Sequence, residues 1–133
     1  MKVNVLEKNI TDLWEGGVSP NSQFFKREVK KLVDYVRVEC KKIKIDDLKL
    51  YLVDNNGLSK EEAKILTLLS INNFCLFFTK KQMSKRLCSS SWTCTARLSI
   101  MEANNIIKTH EYGRTRLMYL HPKLVIKWKS QRK

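Results

Sequence analysis

Glycine, proline and long apolar runs are all scarce in this chain of 133 residues. It has only four glycines and two prolines, so few positions offer an obvious break between elements. The longest apolar run covers residues 74–78, whereas a membrane-spanning helix needs roughly 20 residues. The first ten residues lack the apolar stretch of a secretory signal peptide. We therefore expect a cytoplasmic protein with no membrane partner.

The usual patterns of metal and catalytic sites are also missing. The four cysteines form no C-x-x-C pair, and the two histidines do not complete a ligand set with them. There is no glycine-rich phosphate loop and no H-E-x-x-H motif. Cys94 and His110 could suggest a nucleophile with its base, but Cys94 falls on a predicted buried stripe. We expect no metal site, no cofactor and no enzymatic activity.

What the chain has in excess is positive charge. Lys and Arg number 26 against 13 acids, which gives a net charge of +13 at pH 7. Apolar residues make up 43%, enough for a folded domain rather than a disordered tail. So large a surplus on one small domain favours a polyanionic partner, with nucleic acid ahead of an anionic membrane surface.

The first third of the chain divides into an arm and an amphipathic helix. Residues 1–20 show only weak alternation before Gly16 and Gly17, and we expect a partly ordered N-terminal arm. Residues 21–45 carry apolar side chains at helical spacing. This helix either covers the domain core or forms a dimer contact, and the stripe concerned is Phe25, Val29, Leu32, Val36 and Cys40.

Capping signals place three further helices. Asp46 or Asp47 can cap a short helix over residues 48–53, which Gly57 would stop. Ser59 with Glu62 has the spacing of a capping box at the start of the next helix. After the β-prone residues 74–78, which we expect to be an edge strand, Thr79 and Gln82 repeat the capping-box spacing ahead of a helix over residues 80–87.

A third helix and a hairpin complete the order. Ser90 or Ser91 can cap a helix whose inner stripe is Cys94, Leu98 and Met101, and Asn105 can end it. Two strand patterns, 106–109 and 115–120, flank the turn at Gly113. Residues 122–133 are expected to be a basic tail or short closing helix. This order predicts a mostly α protein with a small β-hairpin (α+β), and residues 46–121 as a winged helix-turn-helix domain.

Several segments resemble the winged-helix domains of MarR- and TrmB-type transcription regulators of archaea and bacteria. They are GLSKEEAKILTLL, TKKQMSKRL, SSSWTCTARLSIMEANNII and YGRTRLMYL. The family pattern T-x-x-[EQ]-[LIM]-[AS]-x-x-L is met from Thr79 to Leu87. The resemblance implies a recognition helix over about 91–103 in the major groove of double-stranded DNA and a wing over 107–120 at the minor groove or backbone. The Lys-, Ile- and Asn-rich composition would suit an archaeon, or a virus or plasmid of one.

The predicted DNA contacts are hydroxyls, small residues and cations at the start of two helices and in the wing. Hydroxyls suit phosphates and base edges, and arginines can fork onto a guanine or enter a narrow minor groove. Trp92 is expected to pack partly against the neighbouring helix. The set comprises Lys80, Lys81, Ser90, Ser91, Trp92, Thr93, Thr95, Ala96, Arg97, Ser99, Arg114 and Arg116.

Two functions remain open on the sequence. The first is a sequence-specific, DNA-binding transcription regulator that acts as a homodimer. The second is a winged-helix adaptor or architectural protein, which would dock another protein or bind nucleic acid without sequence preference. Cations gathered on the face of Trp92 and Arg114 would favour the first, and cations spread evenly would favour the second. No particular small-molecule effector is indicated.

Overall fold

The fold is a small sheet with helices on both faces. The structure is a computed structural model, which describes residues 2–87, 90–113 and 115–131. The mixture of helices with a small antiparallel sheet confirms the predicted α+β class. Its helices are α1 (Lys2–Glu15), α2 (Gln23–Cys40), α3 (Ile45–Asn56), α4 (Lys60–Ile71), α5 (Lys80–Leu87), α6 (Ser91–Ala103) and α7 (Pro122–Gln131). Its strands are β1 (Cys75–Phe78), β2 (Ile107–Tyr112) and β3 (Thr115–Leu120).

The three strands form one antiparallel sheet in the order β1-β3-β2. β2 and β3 are the predicted hairpin, and β1 pairs with the outer side of β3, with Phe77 opposite Leu117. The prediction that residues 74–78 supply an edge strand is therefore confirmed. Since β3 lies in the middle, the four residues from Leu117 to Leu120 are all buried.

Each face of the sheet packs against its own helices. Residues paired directly across an antiparallel sheet share a face, so Tyr119 lies on the same side as Lys108 and Cys75. That side faces α1 and α2, because Tyr119 and Lys108 bond to Glu7 of α1. The opposite side faces α6, where Glu102 accepts hydrogen bonds from Thr109.

The N-terminal residues form a helix, which corrects the prediction of a partly ordered arm over 1–20. Val3, Leu6 and Ile10 of α1 are buried in the main hydrophobic core. They recur at steps of three and four, the spacing of one helix face. The apparent alternation at the start of the chain hid this spacing. α1 ends before Gly17, whose φ of 80° suits glycine.

α2 covers the core, so the dimerisation residues assigned to it are a wrong prediction. Phe25, Leu32, Val36 and Cys40 are buried within one chain, and Val29 is half-buried against the same core. These side chains pack within one chain and do not form an unpartnered apolar stripe for a second copy. The sequence left open whether this helix covers the core or forms a dimer contact, and in the structure it covers the core.

The remaining helix boundaries confirm some capping predictions and correct another. Ser59 and Glu62 form the expected capping box at the start of α4. Lys44, without a side-chain cap, precedes α3, so Asp46 and Asp47 lie inside its first turn rather than at its cap. There they still favour the helix through its dipole.

The C-terminal segment forms α7, the short closing helix that was one of two expectations. Its buried residues are Leu124, Val125 and Trp128. The Trp128 ring meets Tyr51 of α3 edge to face, with ring centroids 5.7 Å apart. Within the residues that the structure describes, no helix is both long and apolar enough to cross a membrane.

Candidate nucleic-acid interface

α5 is a short, strongly basic helix held by a reciprocal cap. The Thr79 N–H donates to Gln82 Oε1 at 2.9 Å, and the Gln82 N–H donates to Thr79 Oγ1 at 3.2 Å. This is the predicted capping box. Met83 is buried and anchors the helix to the core. The cations are left exposed to solvent, namely Lys80, Lys81, Lys85 and Arg86.

α6 is fixed by a serine cap at one end and an apolar stripe along its inner side. Ser90 Oγ accepts from the Thr93 N–H at 3.1 Å and lies 2.8 Å from Thr93 Oγ1. Cys94, Leu98 and Met101 are buried as predicted. Cys88 and Ser89 lie outside the described residues, as does the side chain of Ser91, so the contact predicted for Ser91 is not tested.

The outer side of α6 presents one large aromatic ring and several small residues. Trp92 is 81% exposed, which overturns the expectation that it packs partly on the neighbouring helix. Ser99 is also exposed, and Ala96 is half-buried. Trp92, Ala96 and Ser99 recur at steps of four and three, so they share one face of the helix. Of the other predicted contacts, Thr93, Thr95 and Arg97 are half-buried at its flanks.

Gly113 lies in the hairpin turn as predicted, but β2 extends to Tyr112, so residues 110–112 belong to the strand rather than to the expected turn. The two arginines beside the turn differ. Gly113 has a φ of 66° and supplies the left-handed turn residue. Arg114 lies outside the described residues. The Arg116 side chain is only 14% exposed, and its guanidinium lies 3.5 Å from a Glu111 carboxylate oxygen. The DNA contact of Arg116 stays a prediction, and in this structure the side chain lies paired with the neighbouring strand.

Glu102 ties α6 to the hairpin, a role that sequence reasoning missed. Its carboxylate accepts from the Thr109 N–H at 2.7 Å and from the Thr109 hydroxyl. Asn105, with a φ of 57°, turns the chain between the two elements as predicted. The contact holds the C-terminal end of α6 against Thr109 of β2. No local pattern marks it, since it joins residues of different elements.

A second missed feature is a buried charged cluster on the opposite face of the sheet. Glu7 of α1 accepts from the Tyr119 hydroxyl and from Lys108 Nζ, and its carboxylate lies 3.5 Å from His110 Nε2. Burial alone would raise the Glu7 pKa, but hydrogen bonds from His110, Lys108 and Tyr119 lower it to about 2. The same burial, with the Glu7 charge nearby, raises the pKa of Tyr119. This cluster fastens α1 to the sheet.

The positive surplus is concentrated in two stretches of sequence. Residues 63–101 contain six Lys or Arg and no acid, and residues 112–133 contain seven and no acid. The rest of the chain holds 13 basic and 13 acidic residues, which balance. The first stretch includes α5 and most of α6. The second includes the hairpin turn and α7, where Lys129 pairs with Glu39 of α2 at 2.7 Å.

The cysteines have the character of core residues. Cys40, Cys75 and Cys94 are buried free thiols. Burial raises the pKa of Cys75 to about 12 and also raises the pKa of Cys94, so neither thiol favours the reactive thiolate. In the described ranges, no three His, Cys, Asp or Glu side chains come together in a way that could hold a metal ion.

Comparison with protein-family models, with curated proteins and with solved structures finds no match to this chain. The MarR/TrmB resemblance therefore stays a prediction from a few motifs. What the site can do has to be argued from its own helices, strands and charges.

Proposed function

We propose that residues 46–121 form a winged helix that binds double-stranded DNA, and that the protein is a sequence-specific regulator of transcription. The chain order α4, β1, α5, α6, β2, β3 is the order expected for this domain. Pairing of β1 with β3 rather than β2 also agrees with it. In such a domain α6 enters the major groove and the β2–β3 turn reaches the neighbouring backbone or minor groove.

The observation that carries the proposal is the outer face of α6 in an acid-free stretch of chain. Trp92 is 81% exposed near the start of the helix, and the small residues Ala96 and Ser99 follow it on the same face. A slim helix face can approach base edges closely, and the indole ring can contact a thymine methyl or a sugar. The exposed cations of α5, the preceding helix, supply attraction for the phosphates.

Positive charge at the start of α5 supports the same surface. Lys80 and Lys81 lie in the first helical turn, where cations oppose the helix dipole. An arrangement that is locally unfavourable for the helix becomes favourable when a phosphate lies opposite. In this proposal Arg114 keeps its predicted contact at the turn, whereas Arg116 braces the hairpin through Glu111.

We keep the homodimer as part of the proposal, with a different contact. Two α6 helices about 34 Å apart would match one turn of DNA. Since the apolar stripe of α2 is buried within the chain, a dimer has to use another surface. Its recognition site would be a repeat of two half-sites.

An adaptor that docks another protein is the second candidate. It is favoured by the exposed apolar pair Trp92 and Ile100 on α6, which could anchor a protein partner. Against it, the nucleic-acid proposal explains the lack of acids in residues 63–101, whereas protein docking does not require them to be absent.

A selection of bound duplexes from a random pool, followed by anisotropy titrations, tests the proposal. The decisive variant is Lys80→Gln with Lys81→Gln, and the control is Lys123→Gln with Lys127→Gln, which removes equal charge from exposed positions of α7. We expect the first pair to weaken binding at least about tenfold and the second to change it much less. Equal effects of both pairs, or failure to enrich any sequence, would reject a specific DNA-binding surface on α5 and α6.

A further inference from the structure

A cleft on the other side of the sheet from α6 has the size of a small-molecule site. It lies between the sheet and the length of α2 from Phe25 to Arg37, with a volume of about 620 Å³. Small-molecule pockets typically enclose about 300–1,000 Å³. The loop at Pro20 and Asn21 closes one end, and Gly113 and Thr115 of the hairpin turn close another.

Apolar side chains make up the floor of the cleft. Phe25, Val29 and Val33 contribute from successive turns of α2, and Phe77 contributes from β1. Phe77 is 48% exposed although its neighbours in the strand are buried. It lies on the face of the sheet that α2 covers only in part. A ligand with an apolar body would cover this ring.

Two buried polar atoms of the lining have no hydrogen-bond partner. They are Arg37 Nε and the Tyr112 hydroxyl oxygen. Among the described residues, no carboxylate lies within 4.0 Å of the Arg37 guanidinium, although Asp34 lines the same cleft. Buried donors without an acceptor are rare in folded proteins, and an arginine is shaped to bind a carboxylate with two parallel hydrogen bonds.

The charge of the lining also favours an anion. Lys26 and Lys30 join Arg37, against the single acid Asp34. A nucleic-acid backbone would satisfy these cations but would leave the apolar floor uncovered. A neutral apolar molecule would cover the floor but would leave the Arg37 donor without an acceptor.

We propose that this cleft binds a small organic anion, with its carboxylate or sulfonate on Arg37 and its apolar body on Phe77 and the valines of α2. Such a ligand would contact the last turns of α2 and the exposed ring on β1 at once. Binding of the anion does not rest on the proposed function.

Calorimetry without DNA tests binding with naphthoate and octanoate, and with the neutral counterparts naphthol and octanol. We expect at least one anion to bind, and to bind at least about tenfold more tightly than its neutral counterpart. Arg37→Gln should remove that preference. Arg27→Gln, on the same helix but outside the cleft, should retain it. Failure of both anions to bind at millimolar concentration, or equal binding to the Arg37→Gln protein, overturns the proposal.

A second variant guards against a folding defect in Arg37→Gln. Val29→Phe keeps every charge and fills part of the floor, so it should abolish anion binding while circular dichroism stays unchanged. Retained binding in a folded Val29→Phe protein places the anion elsewhere and overturns the site.

Discussion

Trp92 is the residue at which the interface can be tested most directly. A large aromatic side chain in contact with water is expected to have a partner, since the hydrophobic effect opposes its exposure. The buried stripe of α6 does not depend on it, because Cys94, Leu98 and Met101 lie on the opposite side. Its removal should therefore separate binding from folding.

Trp92→Ala should weaken DNA binding at least about tenfold and leave the free energy of unfolding within about 0.5 kcal/mol, the usual effect of an exposed substitution. Anisotropy titrations and urea unfolding measure the two quantities. Trp92→Phe, which keeps an aromatic ring, should recover part of the affinity. A loss of stability above this range would show that the ring packs on the protein, and unchanged affinity would remove it from the interface.

Glu7 gives a prediction about pH. Its pKa is lowered from 4.5 to about 2 in the folded protein. A carboxyl whose folded pKa is depressed contributes stability above its unfolded pKa, and that contribution is lost as the pH falls through the folded value. Glu7→Gln should therefore cost on the order of 3 kcal/mol at pH 7. The difference between wild type and variant should shrink as the pH falls from about 4.5 towards 2.

Urea unfolding at several pH values checks this expectation. Glu15→Gln is the matched control, because it lies in the same helix with an exposed side chain. The control should cost much less, with no comparable pH dependence. A Glu7→Gln difference that stays constant down to pH 2 would show that the ionised carboxylate does not fasten α1 to the sheet.

Ser90 shows how one residue serves an element and the proposed interface together. Its hydroxyl caps α6 by accepting from the Thr93 N–H. Ser90→Ala should cost about 1 kcal/mol, as the loss of a helix cap usually does. Ser90→Asp restores a capping oxygen and adds a negative charge that suits the helix dipole, so it should restore stability. The same charge should repel phosphates and lower DNA affinity at least about tenfold.

Thermal unfolding and DNA titration of both variants separate the two roles. A Ser90→Asp protein that binds DNA as well as wild type would place the start of α6 away from the phosphates. A Ser90→Ala protein as stable as wild type would show that the cap contributes little.

Elements with local signals were predicted well from the sequence. The capping boxes at Ser59 and Thr79 and the turn residue Gly113 depend on neighbours within a few positions, and each is found where expected. The inner stripe of α6 was also right, because helical spacing is local. α1 was missed since its buried residues gain their partners from α2 and from the sheet, only in the folded chain.

The site was predicted less completely, because exposure is a property of tertiary packing. Trp92 turned outward and Arg116 was held by Glu111, and neither outcome follows from its immediate neighbours. Glu102 and Glu7 were missed for the same reason, since each bonds to a strand of the folded sheet rather than within its own helix. The dimer residues of α2 failed because one apolar stripe cannot tell an intramolecular partner from a second copy.

At the scale of the whole molecule, the sheet separates two regions with different chemistry. α1 and α2 cover one face, with acids and bases in near balance, and they border the cleft at Arg37. α5 and α6 lie towards the other face, in a stretch of chain with six cations and no acid. The hairpin contacts both regions, since Glu102 holds one face of β2 and Glu7 bonds to the other.

The salt dependence of binding tests whether the cations of α5 bind phosphates. Each phosphate contact should steepen the fall of log K with log salt by about 0.9. If the four exposed cations of α5 with Arg97 and Arg114 supply four or five contacts, the slope should be about −4 per chain, and about −8 for a dimer. Lys80→Gln with Lys81→Gln should reduce the slope by about 2 per chain, whereas Lys123→Gln with Lys127→Gln should leave it unchanged. Anisotropy titrations across a salt series measure this, and a slope that responds equally to both pairs would mean that charge acts over the whole surface rather than through α5.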